Sequence, residues 1–239
     1  MKILICQCLN VVSFVDEALS QLVSTINEGK INGVDLIIFP ELFLGGYPNQ
    51  ALKNINSSFK NSSQEEIVNK VIKISKNFNI AILFGMIKTY YDKQFNTAIL
   101  VSSNGEVLTE YHKINLFGDY ENTIFSPGVT SATIVNFLGQ KVALGICYDV
   151  ETESFIKDLS HRGAEIIFGI AANMQPYENV SQTIIPYLCK KYRVQIVYAN
   201  YVGYDSFYTF CGRSCVTNMN GTHLFLGSSS KPGNYIVIL

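Results

Sequence analysis

Short, wholly apolar runs that change abruptly into reactive residues constrain this chain more than any other feature. Val142-Ala143-Leu144-Gly145-Ile146 stops at Cys147-Tyr148-Asp149, and Leu36-Ile37-Ile38-Phe39 stops at Pro40-Glu41. Runs this short read as strands buried on both sides. Between them lie stretches with helical spacing. One carries Val15, Ala18, Leu19, Leu22, Val23 and Ile26 behind a capping pattern at Ser13 and Asp16. Another carries Ile67, Val68, Val71, Ile72, Ile74 and Phe78 behind Ser63 and Glu66. Residues 80–88, 95–102 and 107–112 read as consecutive strands, with turns at Tyr91-Asp92 and Asn104-Gly105 that are too tight for parallel crossovers. Both patterns together make a mixed α/β chain, and two packed sheets with helices outside accommodate it.

The later chain continues in the same manner. A loop is expected over residues 114–128, then a strand pair (133–137 and 141–146) around Gly139. Thr152 offers an N-cap to a short helix over 153–161, whose positive end would favour a nearby thiolate. A strand over 165–170 leads to the loop Asn173-Met174-Gln175-Pro176, and Pro186 must kink a helix over 180–192 or lie in its first turn. Strands are expected over 195–202, 214–217, 222–226 and 235–239. The Asn/Ser-rich run 54–63 reads as a surface loop. With no linker-like segment, residues 1–239 are expected to form a single domain.

A net charge of -1, with no concentration of Lys and Arg, excludes a nucleic-acid footprint. No apolar run approaches the ~18 residues of a membrane span, and the N-terminal run turns polar at Gln7, too early for a signal peptide. Six cysteines in such a chain read as reduced thiols of a cytoplasmic protein. Cys6-x-Cys8 and Cys211-x-x-x-Cys215 lack zinc-site spacing, so no metal is expected there.

Three reactive side chains follow strand-like runs: Glu41 after Phe39-Pro40, Lys113 after Tyr111-His112 and Cys147 after Gly145-Ile146. Singly, each has an ordinary explanation as a surface charge or a small buried hydrophobe. Together they form a coherent set for cleaving an amide. A thiol is a poor nucleophile until deprotonated, and Glu41 can take its proton and return it to the leaving amine. Lys113 and a backbone N–H near Tyr148 can stabilise the oxyanion. The attack would give a thioester, which water hydrolyses with Glu41 as base.

These residues resemble the motifs of the nitrilase superfamily, the carbon–nitrogen hydrolases with a Glu–Lys–Cys triad. Phe39-Pro40-Glu41-Leu42 with Gly46-Tyr47 matches the glutamate motif. His112-Lys113-x-x-Leu116-Phe117 with Phe125-x-Pro127-Gly128 matches the lysine motif, and Gly145-Ile146-Cys147-Tyr148-Asp149 the cysteine motif. Glu121 falls where many members carry a second active-site glutamate, and Ala172-Asn173 and Phe210-x-Gly212-x-Ser214 match later landmarks. The resemblance implies a four-layer α-β-β-α sandwich, a homodimer or higher homo-oligomer, and no metal or organic cofactor. It implies Cys147 as nucleophile, Glu41 as general base, Lys113 as oxyanion stabiliser and Glu121 as a group that orients substrate or assists proton transfer. Tyr47, Tyr120, Tyr148, Asn173 and Met174 are candidate walls of the substrate pocket.

The sequence also departs from the family. Thr152-Glu153-Ser154 replaces an aromatic-Pro-Glu run, Met174 stands where a tryptophan is common, and Cys189-Lys190-Lys191-Tyr192-Arg193-Val194 replaces an Ala-Arg-Ala-Glu-Asn run. The sequence ends at Leu239, where many members continue into a tail that reaches a neighbouring subunit. The expected function is hydrolysis of a small-molecule amide. One alternative is a glutaminase like the ammonia-supplying domain of NAD synthetase; another, of a different class, is a catalytically idle binding protein. A Cys–His hydrolase is disfavoured, because His112 neighbours Lys113 and adjacent strand residues face opposite ways.

Overall fold

The computed structural model describes residues 1–10, 15–47 and 63–239. The expected cap at Ser13, Pro48 and the Asn/Ser-rich run up to residue 62 lie outside the described residues. The chain opens with β1 (Lys2–Gln7), α1 (Val15–Ile31), β2 (Leu36–Ile38), α2 (Gln64–Phe78), β3 (Ala81–Tyr90), β4 (Lys93–Val101) and β5 (Val107–His112). Then come α3 (Gly118–Ile124), β6 (Val135–Phe137), β7 (Gln140–Ile146), α4 (Tyr148–Glu151), α5 (Glu153–His161), β8 (Ile166–Ala171) and α6 (Ile185–Tyr192). The last elements are β9 (Gln195–Asn200), β10 (Val202–Tyr204), β11 (Thr209–Cys211), β12 (Cys215–Thr217), β13 (His223–Leu226) and β14 (Gly233–Ile238).

Among the described residues the strands form two six-stranded sheets, ordered β14-β1-β2-β3-β4-β5 and β13-β12-β9-β8-β7-β6, with β10 and β11 as a separate pair. Each sheet is parallel at its centre, β1-β2-β3 in one and β7-β8-β9 in the other, with antiparallel strands at its flanks. Alternation along the strands sorts the side chains of the first sheet. Ile3, Ile5, Leu36, Ile38, Leu83 and Leu100 pack with Leu144, Phe168 and Val197 of the second sheet. Leu4, Ile37, Ile82 and Ile99 pack with Leu19, Leu22, Ile26, Ile67 and Val71 from α1 and α2. On the far side, α5 and α6 cover the second sheet, burying Ile156, Leu159, Ile185 and Leu188. The chain is thus a four-layer α-β-β-α sandwich.

Local signals explain much of this. The Ser63 hydroxyl accepts from the Glu66 backbone while the Glu66 side chain accepts from the Ser63 backbone, so α2 starts on the expected capping box. Pro186 lies in the first turn of α6, preceded by a π-helical segment at Val180–Ile184. The structure corrects other expectations. The 114–128 loop contains α3, whose N-cap is Phe117, a residue without a capping side chain. Its start is instead held by the Glu121 carboxylate, which accepts from the Phe117 backbone at 2.8 Å. Thr152 does precede α5, but its hydroxyl donates back to the Tyr148 carbonyl and caps nothing. The 195–202 strand divides into β9 and β10, and β11 was not anticipated.

Candidate active site

The three strand ends meet at one edge of the sandwich. β5 is antiparallel to β4, which is antiparallel to β3, so β5 points the same way as β2 and β3. Their C-terminal ends therefore share an edge, the usual place for ligands in α/β sheets. The second sheet joins there: the Glu41 backbone N–H donates to the Ala171 carbonyl at 3.3 Å, and the Ala172 N–H donates to Glu41 Oε2 at 2.8 Å. Two glycines permit the close approaches. A Cβ on Gly85 of β3 would sit 2.3 Å from the Leu42 nitrogen, and one on Gly128 would sit 2.3 Å from the His112 carbonyl oxygen. Gly128 also donates its N–H to the Lys113 carbonyl at 2.8 Å.

Lys113, fully buried, places its ammonium 2.9 Å from Glu41 Oε1 and 2.9 Å from Glu121 Oε1. Glu41 Oε1 also accepts from Asn96 Nδ2 at 2.6 Å. Glu121 Oε1 accepts from the Tyr47 hydroxyl at 2.7 Å, and its Oε2 from the Phe117 backbone. Bond capacity then locates the free valences. Two of the three ammonium hydrogens are committed, leaving one; Glu41 Oε1 is filled, leaving an acceptor position on Oε2. Burial pushes the Glu41 carboxyl up, while the Lys113 ammonium and Asn96 pull it back. Burial opposes the charge on Lys113, but Glu41 and Glu121 outweigh it and hold the ammonium above its ordinary value.

Cys147 occupies a strained elbow between β7 and α4, with φ 45° and ψ -107°. Its neighbours over-determine this turn. The Cys147 N–H donates to the Ile170 carbonyl at 2.8 Å and its carbonyl accepts from Val150 at 2.9 Å. Buried Asp149 accepts at Oδ1 from the Asn115 backbone and side chain, and at Oδ2 from the Tyr111 hydroxyl and the Ile146 N–H. The helix beside the thiol is therefore α4, starting at Tyr148, and not the expected one beyond Thr152. Nor does the resting site favour thiolate. Burial and the Glu41 carboxylate push the thiol well above its ordinary value, with Lys113 opposing.

A cleft opens beside these groups. Cys147, Glu121, Tyr47 and Ala172 line it together with Asn173 and Met174, and Phe117, Tyr177 and Glu151 complete the lining.

A sequence profile of the carbon–nitrogen hydrolases matches residues 2–237. The chain belongs to the carbon–nitrogen hydrolase family. A hydrolase encoded in the pqqF 5′ region of Pseudomonas protegens is 31% identical over 193 residues, spanning 80% of this chain and 67% of that protein. The glutamine-dependent NAD(+) synthetase of Acinetobacter baylyi is 32% identical over 92% of this chain, which spans 41% of that enzyme's length. An amidase from Nesterenkonia sp. AN1 superposes with a TM-score of 0.92 at 24% identity, covering 100% of this chain and 92% of that one. That likeness is one of fold.

In this hydrolase the candidates Glu41, Lys113, Glu121, Cys147, Tyr47, Asn173 and Met174 are brought to one place. Tyr47 touches Glu121, and the Asn173 amide is engaged with the Tyr177 carbonyl and the Cys211 thiol. Tyr148 is 40% exposed and stands edge-on to Phe117, outside the cleft lining, as does Tyr120. His112 turns away from the site to Thr97 and the rings of Phe95 and Tyr90. Sequence reasoning missed Asn96, Asp149, Glu151, Phe117 and Tyr177. Asp149, Glu151 and Phe117 lay within or beside the quoted motifs, whereas Asn96 sits in mid-strand with no local signal.

Among the described residues no helix is long and apolar enough to cross a membrane.

Proposed function

We propose that this hydrolase cleaves the C–N bond of a small amide through a thioester on Cys147. The observation that carries this reading is the buried Glu41–Lys113–Glu121 chain, linked at 2.9 Å on both sides, in the same site as the Cys147 thiol. The raised thiol means that deprotonation accompanies attack. Sγ adds to the carbonyl carbon while its proton passes to the open position on Glu41 Oε2. The developing oxyanion takes the uncommitted hydrogen of Lys113 and the Tyr148 backbone N–H at the start of α4. Collapse returns the proton to the departing nitrogen and releases ammonia or an amine. Water, deprotonated by Glu41, then attacks the thioester and frees the acid and the thiol. Glu121 positions Lys113 throughout.

The identity to glutamine-dependent NAD(+) synthetase supports a second reading, an ammonia-supplying glutaminase. One experiment separates the two: ammonia release from primary amides, carbamoyl compounds, nitriles and glutamine, by wild type and Cys147→Ala. Release from a simple amide that vanishes in Cys147→Ala supports the amidase; release from glutamine alone supports the glutaminase. Wild-type protein that releases nothing and whose Cys147 resists acylating probes would be an idle binding protein. The protein is read as cytoplasmic, acting on a small molecule as a homo-oligomer without a cofactor.

A further inference from the structure

Glu151 is the one acidic group of the cleft that the mechanism leaves unused. It lies one helical turn beyond Cys147, at the last position of α4, and faces the same cleft. The Glu41 and Glu121 side chains each accept three hydrogen bonds, but the Glu151 carboxylate has no hydrogen-bond or ion-pair partner among the described residues. Lys113 is fully buried behind the lining and already pairs two other carboxylates. Among the described residues the lining contains no lysine, arginine or histidine. Two aromatic residues share the cleft with it: Phe117 and Tyr177, edge to face with centroids 5.2 Å apart. An unpaired carboxylate in one cleft with aromatic rings is a combination that recognises an ammonium group, through charge-assisted hydrogen bonds and cation–π contact. Anionic groups find no counter-charge in the lining among the described residues.

We propose that Glu151 sets substrate specificity, so that the cleft takes amides whose acyl chain carries a positively charged amine. Residues one turn apart on a helix hold their Cβ atoms about 5–6 Å from each other. The amine therefore stands about two to four carbons from the scissile carbonyl. Burial pushes the free carboxyl up to about 7, against the pull of the Lys113 ammonium. The inference deepens the amidase reading and rests on Cys147 as the attacked-carbonyl end of the cleft. Glutamine also carries an ammonium at this distance, within reach of Glu151, but the α-carboxylate on the same carbon meets no cation of the lining among the described residues, so 4-aminobutanamide is expected to be the better substrate.

The test compares 4-aminobutanamide with its neutral isostere pentanamide, and with glutamine, at pH 8 in wild type and Glu151→Gln. Wild type is expected to favour the cationic amide over pentanamide at least about tenfold in kcat/KM, and Glu151→Gln to shrink that ratio by about tenfold or more. Calorimetric binding of the same amides to Cys147→Ala and to Cys147→Ala/Glu151→Gln reads the selectivity without turnover. Selective binding of the cationic amide without wild-type hydrolysis would sink the amidase reading and leave the role of Glu151 standing. A ratio near one in wild type or a ratio unmoved by Glu151→Gln would overturn the proposal; glutamine as the preferred substrate with that ratio intact would overturn the amidase reading and leave the role of Glu151 standing.

Discussion

At the residue scale, the site is governed by how its charges are partnered. Lys113 neutralises part of the charge of two buried carboxylates, and Asn96 and the Ala172 N–H hold Glu41 from two other directions. Glu41→Gln keeps the shape of the side chain but sets its amide N–H against the Ala172 N–H, and it cannot accept the thiol proton. Turnover of the best amide is expected to fall by about 10²–10⁴-fold with the fold intact, as read by steady-state kinetics beside a circular dichroism melt. Glu151 makes a different prediction. Its carboxyl is pushed up to about 7 by burial, against an ordinary 4.5, so the folded chain holds this proton more tightly than the unfolded one. The stability it contributes is complete below pH 4.5 and is lost as pH rises through about 7. Glu151→Gln is therefore expected to raise stability by about 1–3 kcal/mol at pH 8 and to leave it nearly unchanged at pH 4. Urea titrations at the two pH values check this; equal effects at both would contradict it.

At the element scale, function depends on how closely backbone segments approach. Glu41 reaches Lys113 because the loop after β2 lies directly on β3 at Gly85. Gly85→Ala pushes a methyl group to 2.3 Å from the Leu42 nitrogen, a rigid backbone atom, so the loop must move. The expected result is a loss of about 1–3 kcal/mol in stability and a drop in kcat much larger than the change in KM, since Glu41 shifts while the cleft lining stays. A variant with unaltered kinetics would show that the loop tolerates displacement. The sequence was legible at this scale where it carried a local signal. The Ser63–Glu66 capping box, the Leu138-Gly139 hairpin turn between β6 and β7, and Pro186 at the start of α6 all stand where their chemistry directs. It was illegible for α3, because Phe117 offers no cap and the Glu121 carboxylate that starts the helix is also tied to Lys113.

At the scale of the whole molecule, the two sheets share one core. Ile5, Leu83 and Leu100 of the first pack with Leu144, Phe168 and Val197 of the second, all buried. The active-site loops stitch the same seam through Glu41 to Ala171 and Ala172. Leu144→Ala is expected to cost about 2–5 kcal/mol and to lower both sheets together. Hydrogen exchange should then show the amides of β2 and β8 losing the same increment of protection. Loss confined to the second sheet would mean that the halves unfold separately.

The sequence alone determined the alternation of strands and helices, the two-sheet sandwich and the three strand-end groups Glu41, Lys113 and Cys147. These rest on local periodicity, turn chemistry and short ordered motifs, which neighbouring residues encode by themselves. Only the tertiary structure decided what surrounds those groups. Asn96 reaches Glu41 across 55 positions and Asp149 reaches Tyr111 across 38, distances over which no sequence pattern runs. The protonation of Cys147, and the exposure of Glu151 to a cleft without cations, follow from burial and from which charges fold beside them. Those are properties of the packed chain.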